Sequence, residues 1–219
     1  MNRFLTTLAA ALALVASLGA AAAPAAVPRE LDTELLAIQI GWAAAHYSPN
    51  GEAKEAAFDN LQQQAAAFTA RYPGRAEPLI WEGIVFSTAA GVKDGLGALG
   101  LAKQSRASLE AALKIDPQAL QGSAYTSLGA LYHKVPGYPV GFGSDRKAKE
   151  YLEKSLAINP EGIDPNYFYG EFLYDEDDYG RARTYLEKAL QAAPRPNRQS
   201  ADEGRRRDIN ALLMKLPAR

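Results

Sequence analysis

The hydrophobic and polar positions along the chain repeat with the period of an α-helix. Three segments align when written under one another: SLEAALKIDPQ, YLEKSLAINPE and YLEKALQAAPR. Each has leucine or alanine every three to four residues, as on the buried face of an amphipathic helix. Each also ends at a proline, which cannot continue a helix. The prolines are Pro117, Pro160 and Pro194, and Pro73 follows a similar segment, so the pattern predicts four helices that end at recurring stops.

These four prolines lie 44, 43 and 34 residues apart. A 34-residue period is typical of helix–turn–helix repeats that have small side chains where the two helices cross. The expected crossing residues are glycines in the first helices, with alanine, serine and leucine in the second helices: Gly83 with Ser105, Leu109 and Ala112; Gly129 with Ala148, Leu152 and Ser155; Gly170 with Ala182, Leu186 and Ala189. Over residues 73–194 the chain resembles tetratricopeptide repeat proteins, and this resemblance implies an all-α solenoid of stacked helical hairpins.

Helical patterns continue on both sides of the three repeat-like units, which occupy residues 74–196. Residues 28–73 contain two amphipathic stretches separated by SPNG, a turn, and we interpret them as a degenerate N-terminal hairpin. Residues 197–219 form a further helix with Ile209, Leu212, Leu213 and Leu216 on one side, which we expect to cover the end of the stack. Ser200 and Glu203 have the spacing of a capping box at its start.

Two of the units have extra residues between their helices. The segment VPGYPVGFG, residues 135–143, makes the second unit seven residues longer than the third, and AAGVKDGLGALG enlarges the first unit at the equivalent place. We expect two long loops on one edge of the stack, where repeat proteins often bind partners. Two interpretations of Tyr138 and Phe142 remain open: the aromatic rings contact a partner, or they pack back onto the helices.

The first residues have the pattern of a secretory signal peptide: Arg3, an apolar run from Phe4 to about Leu18, and then small residues. We assign residues 1–23 to it; Ala20, Ala21 and Ala22 before Ala23 satisfy the cleavage pattern, and cleavage after Ala23 or Ala26 is also compatible with it. The mature protein is then expected in the periplasm, without stable membrane insertion.

The chain has no cysteine, which excludes disulfides and a lipid-modified cysteine, and its net charge of −1 argues against nucleic-acid binding. The chain resembles exported bacterial repeat proteins and, more distantly, the T component of tripartite periplasmic transporters.

The sequence patterns that suggest catalysis or cofactor binding lack the neighbouring elements and partner residues that such sites require. Gly95, Gly97 and Gly100 spell G-x-G-x-x-G, but no predicted strand precedes them, so a nucleotide site is not expected. The acidic run at residues 175–178 lacks the calcium-loop pattern and is interpreted as the turn before a helix. His46 and His133 have no partner at metal-ligand or triad spacing, and no serine has a nucleophile elbow. We therefore predict no enzyme activity, no metal and no cofactor.

The remaining candidate site is the groove formed by the first helices of each hairpin. Aromatic and polar side chains are expected there, suited to an extended peptide or a small organic ligand, although the tyrosines could equally pack between helices. We interpret the protein as a non-catalytic scaffold for a partner protein or peptide; the alternative is a small-molecule-binding accessory component of a transport system. The candidate groove residues are Trp42, His46, Thr126, Ala130, His133, Lys134, Tyr167, Glu171 and Tyr174.

Overall fold

The computed structural model describes residues 27–93 and 96–217, and within these ranges it contains α-helices and no strands. The signal-peptide prediction lies outside the described residues. No helix within them is long and apolar enough to cross a bilayer. The helices are α1 Val27–His46, α2 Glu52–Arg71, α3 Ala76–Val92, α4 Leu96–Ile115, α5 Ala119–Lys134, α6 Asp145–Ile158, α7 Ile163–Asp175, α8 Tyr179–Leu190 and α9 Gln199–Lys215.

Consecutive helices pack in antiparallel pairs: α1 with α2, α3 with α4, α5 with α6, and α7 with α8. The last three pairs share one crossing geometry. A Cβ atom on Gly83 would lie 2.5 Å from Cγ of Leu109, one on Gly129 would lie 2.5 Å from Cγ of Leu152, and one on Gly170 would lie 2.9 Å from Cγ of Leu186. All three leucines are fully buried. The predicted solenoid with small residues at each crossing is therefore confirmed.

The stack curves towards the first helices of the pairs. Among the described residues, α1 contacts α3, α3 contacts α5 and α5 contacts α7, whereas α2, α4, α6 and α8 do not contact one another. Since the helices on the inside of a curve lie closest together, α1, α3, α5 and α7 form the concave face.

The C-terminal helix α9 covers the end of the stack, as predicted, by packing on α7 and α8. It also contacts α1, at the other end of the chain. At that contact a Cβ on Gly204 would overlap the ring of Tyr47, so glycine allows the close approach. Helix α9 therefore lies across the concave face and joins the first hairpin to the last. The predicted capping box is wrong, because the N-cap is Arg198 and no side chain caps the helix.

The two extended units differ from each other. The long loop expected in the first unit is instead mostly helix: α3 continues to Val92 and α4 begins at Leu96. Gly97 and Gly100 consequently lie inside α4 and cannot form a phosphate-binding loop there; Gly95 is outside the described residues. In the second unit the expected loop is present, and residues 135–144 connect α5 to α6.

Candidate interaction surface

The concave face is crossed by an ion-pair network that fixes α9 in place. Nε of Arg205 donates to Oδ1 of Asp164 at 3.0 Å, and Nη1 of Arg195 donates to the other Asp164 oxygen at 2.6 Å. Arg195 also pairs with Asp202 at 2.6 Å. Burial raises the pKa of Asp164, but the charges of Arg195 and Arg205 outweigh it and hold that pKa well below its ordinary value. The network connects α7, α9 and the segment that lies between α8 and α9.

Three of the predicted groove residues lie beneath or beside α9. Tyr167 is buried, and the Arg205 guanidinium stacks 4.3 Å above its ring. Trp42 is buried, donates its indole N–H to Thr88 at 2.9 Å and stacks on His46, with ring centroids 4.7 Å apart. Burial, together with Arg205 and Lys54, lowers the pKa of His46 to about 4. Trp42 and Tyr167 are therefore buried rather than lining an open groove, and His46 is half-buried; Arg205 of α9 covers Tyr167.

A second group of predicted residues forms a polar cluster between the ends of α5 and α7. His133 bridges two carboxylates: Nδ1 lies 3.1 Å from Asp145 and Nε2 lies 2.8 Å from Asp175. Nζ of Lys134 lies 2.9 Å from Asp175 and 3.4 Å from Glu171. The structure therefore joins His133, Lys134 and Glu171, and adds Asp145 and Asp175 as partners. The sequence pattern offers no signal for Asp145 and Asp175, because they lie 12 and 42 positions from His133 along the chain.

The other predicted residues of this face have structural contacts. Thr126 is buried and its hydroxyl contacts that of Ser155 on α6. The ring of Tyr174 lies 5.7 Å from that of Tyr179, and Ala130 is half-buried. In the acidic run, Asp178 is the N-cap of α8 and accepts from the Arg181 amide, as the interpretation of this run as a helix-start turn predicts. No group of three or more histidine, aspartate or glutamate side chains in the described chain is arranged to hold a metal ion.

The loop 135–144 is anchored at its base and exposed at its tip. Phe142 packs edge-on against Tyr132, with 5.5 Å between ring centroids, and Arg106 lies 4.2 Å above its ring. The amides of Gly143 and Ser144 donate to the carbonyls of Pro136 and Tyr132 at 2.9 and 2.8 Å. Phe142 therefore packs back onto the helices, which is one of the two interpretations left open above. Tyr138 does not: its side chain is 94% exposed, and that of Val140 is 66% exposed.

A polar cleft of about 320 Å³ separates the loop from the end of α5. Its walls are formed by both ends of the loop and by three residues of the polar cluster, His133, Lys134 and Asp145. The residues lining it are Tyr132, His133, Lys134, Val135, Pro136, Gly137, Gly143, Ser144 and Asp145. We call the exposed loop tip, the cleft and the polar cluster together the loop surface.

The geometry of the last hairpin, with Gly170 packed on Leu186 and a proline after the second helix, can be compared with known families. Residues 163–196 match the tetratricopeptide repeat family. This match covers α7, α8 and the segment that follows. The two hairpins before it have the same glycine and leucine crossing, so their packing is similar to that of the tetratricopeptide-like hairpin. Comparison with curated proteins gave no match.

Proposed function

We propose that this protein is a non-catalytic scaffold that binds a partner protein or peptide through the loop surface. The observation that carries the proposal is the exposed pair Tyr138 and Val140 at the tip of a loop whose base is fixed by Phe142. Large apolar side chains held in the open by a rigid base suit a binding contact, because little conformational entropy is lost when they dock. The tetratricopeptide-like hairpin supports the scaffold role, since stacked helical repeats present extended binding surfaces.

The position of the binding surface follows from α9. In a stack of this kind the concave face would be the expected binding site, but α9 occupies the part formed by α1 and α7. The loop surface lies at the ends of α5 and α6 and is not covered by α9 among the described residues. Tyrosine is enriched where interfaces gain most of their binding energy, which makes Tyr138 the expected anchor.

We propose further that the scaffold acts in the periplasm after a signal peptide is removed. The support is the N-terminal pattern of one arginine, an apolar run and small residues. The test is the N-terminal sequence and mass of the protein isolated from its native envelope. A mature chain that begins between residues 23 and 27 supports the proposal, whereas a chain that keeps residues 1–22 contradicts it.

The binding role is tested by affinity capture from a periplasmic extract with two variants. Tyr138→Ala combined with Val140→Ser removes the exposed apolar tip. The matched control is Met214→Ser on α9, where an apolar side chain that is 81% exposed belongs to a different element. A protein partner that is captured by the parent and the control but lost with the loop variant supports the proposal. Equal capture by all three proteins would refute it.

The cleft favours one alternative, a small-molecule-binding accessory role in transport. Its volume of about 320 Å³ lies at the lower end of the range for ligand sites, and Lys134 provides a cation at its edge. Native mass spectrometry of the protein purified from its own envelope distinguishes the two functions. A bound metabolite that is lost on Lys134→Met, with no protein partner captured, would favour the alternative.

A further inference from the structure

His133 holds carboxylates from two other helices at once. Its ring Nδ1 lies 3.1 Å from Asp145, the first residue of α6, and Nε2 lies 2.8 Å from Asp175, the last residue of α7. Only 10% of the His133 side chain is exposed, and the ring of Phe172 packs edge-on against it, with 5.2 Å between centroids. The imidazole is therefore fixed in a position where each nitrogen faces a carboxylate.

This arrangement is fully hydrogen-bonded only when the imidazole is charged. A neutral histidine has one N–H donor and one acceptor nitrogen, whereas an ionised carboxylate can only accept hydrogen bonds. A neutral ring can therefore keep one of the two bonds and must turn its lone pair towards the other carboxylate. The geometry thus depends on a single proton, on a side chain type that ordinarily changes charge between pH 5 and 8.

The other charges around the ring decide which contact is lost. Lys134 on α5 also pairs with Asp175, at 2.9 Å, and with Glu171 on α7, at 3.4 Å. Among the described residues, His133 is the one cation within ion-pair distance of Asp145, and α3, α4 and α6 place no further charged group within that distance of the ring. Asp145 is 62% exposed against 38% for Asp175, so water replaces the ring more readily at Asp145. Asp145 is therefore the carboxylate that a neutral ring releases.

Asp145 lies where the loop surface joins α6. The amide of Ser144, the last residue of the loop, donates to the Tyr132 carbonyl at 2.8 Å. Tyr132 and Ser144 are the chain neighbours of His133 and Asp145, so this backbone bond and the side-chain contact hold the same points of α5 and α6 together. A weaker side-chain contact should therefore weaken the backbone bond at the base of the loop.

We propose that His133 makes the loop surface sensitive to pH: the charged ring fixes the start of α6 against α5 and α7, and loss of its proton frees Asp145 and loosens the base of the loop. The biological role of this control rests on the proposed function, because it acts on the same surface. The test measures the protein alone, without a partner, so its failure would leave the capture experiment with the loop-tip variant unaffected.

The test is amide hydrogen exchange of Ser144 between pH 5 and 8, expressed as protection relative to the unfolded chain so that the intrinsic pH dependence of exchange cancels. The chain has two histidines, and His46 is mostly neutral across this range because its pKa is about 4. Protection of Ser144 should fall about two- to fivefold from pH 5 to pH 8, as expected for loss of an exposed ion pair. The Ala182 amide, which donates to the Asp178 carbonyl at 2.8 Å in the first turn of α8, is the internal control and should keep its protection.

Two variants and the nitrogen NMR spectrum of the imidazole complete the experiment. In Asp145→Asn, whose amide can donate as well as accept, and in His133→Gln, which cannot titrate, protection of Ser144 should not depend on pH. Nitrogen chemical shifts of His133 report its charge and show which nitrogen keeps the proton in the neutral ring; we expect Nε2, which faces Asp175. Circular dichroism verifies that each variant is folded.

Four results would overturn the proposal. The ring stays charged at pH 8, or the neutral ring keeps its proton on Nδ1 and so retains Asp145. Protection of Ser144 stays constant while the ring loses its proton, or Ala182 loses protection to the same extent. An equal fall of Ser144 protection in folded Asp145→Asn and in the parent would also contradict it, because the released carboxylate would then not be the cause.

Discussion

The glycines at the helix crossings are the residues on which the stack most directly depends. A glycine inside a helix costs about 0.5–1 kcal/mol relative to alanine, so its presence needs a packing reason. Gly83, Gly129 and Gly170 have one, since each lies against a fully buried leucine of the paired helix. These contacts were predictable because they join helices that are neighbours along the chain. The partners of His133 were not, because Asp145 follows the irregular loop 135–144, whose path the helical pattern does not define, and Asp175 lies on α7, which is not the next helix after α5.

Gly129→Ala is expected to destabilise the protein by about 1–3 kcal/mol, because the new Cβ would lie 2.5 Å from Leu152 and force the helices apart. The matched control is Gly100→Ala in α4, where a Cβ would meet nothing within 4 Å and alanine favours the helix. Urea denaturation of both variants measures the difference. Equal stability of the two would show that the crossing is not tight.

His46 predicts a dependence of stability on pH. Its pKa is about 4 in the folded protein, against 6.5 in the unfolded chain, mainly because burial disfavours the charged ring. The unfolded state therefore binds the proton first, so stability is full above pH 6.5 and falls as the pH drops from 6.5 towards 4, by at most about 3 kcal/mol.

The measurement is the urea midpoint of the parent and of His46→Phe at pH 7.5 and 4.5. Phenylalanine keeps a ring to stack on Trp42 but cannot titrate. The variant should lose less stability between the two pH values than the parent does. An identical loss in both proteins would show that His46 is not the responsible group.

At the scale of the elements, the helices could be predicted from the sequence, but the conformations of the two glycine-rich inserts could not. The two inserts contain similar numbers of glycines, yet one is mostly helix and the other is a loop. Pro136 and Pro139 prevent a helix across residues 135–144, whereas the first insert has no proline and has alanine and leucine between its glycines. Glycine alone costs too little to end a helix that packs well on its neighbour.

Phe142→Ala is expected to release the loop without unfolding the stack. The ring holds the loop base against Tyr132 and Arg106, so its loss should speed amide hydrogen exchange at Gly143 and Ser144 several-fold. Tyr138→Ala is the control, because a side chain that is 94% exposed cannot anchor the base. Unchanged exchange in Phe142→Ala would mean that the backbone alone shapes the loop.

At the scale of the whole molecule, the path of α9 was not predictable from the sequence. The apolar side of α9 indicates that the helix packs against the rest of the protein. Its contact with α1, however, depends on how strongly the stack curves. That curvature is the sum of small rotations at each hairpin. The consequence is functional: Trp42 and Tyr167 are buried rather than lining an open groove, and binding is expected at the loop surface.

Asp164→Asn is expected to destabilise the protein by about 3 kcal/mol, because it removes the carboxylate shared by Arg195 and Arg205 and leaves both cations partly unpaired. Glu150→Gln is the control: its pair with Lys154 is exposed, and the urea midpoint should not change. A similar effect of the two substitutions would indicate that the network does not hold α9.

The central claim, that α9 lies across the concave face and touches the first hairpin, is tested most directly by a distance between spin labels. The chain has no cysteine, so Ala44→Cys on α1 and Glu203→Cys on α9 can be labelled specifically; both positions are exposed. Because helices in contact have axes about 8–10 Å apart, pulsed electron spin resonance should give one narrow distribution of short distances. A broad distribution that extends well beyond about 30 Å, the length of a 20-residue helix, would contradict the claim.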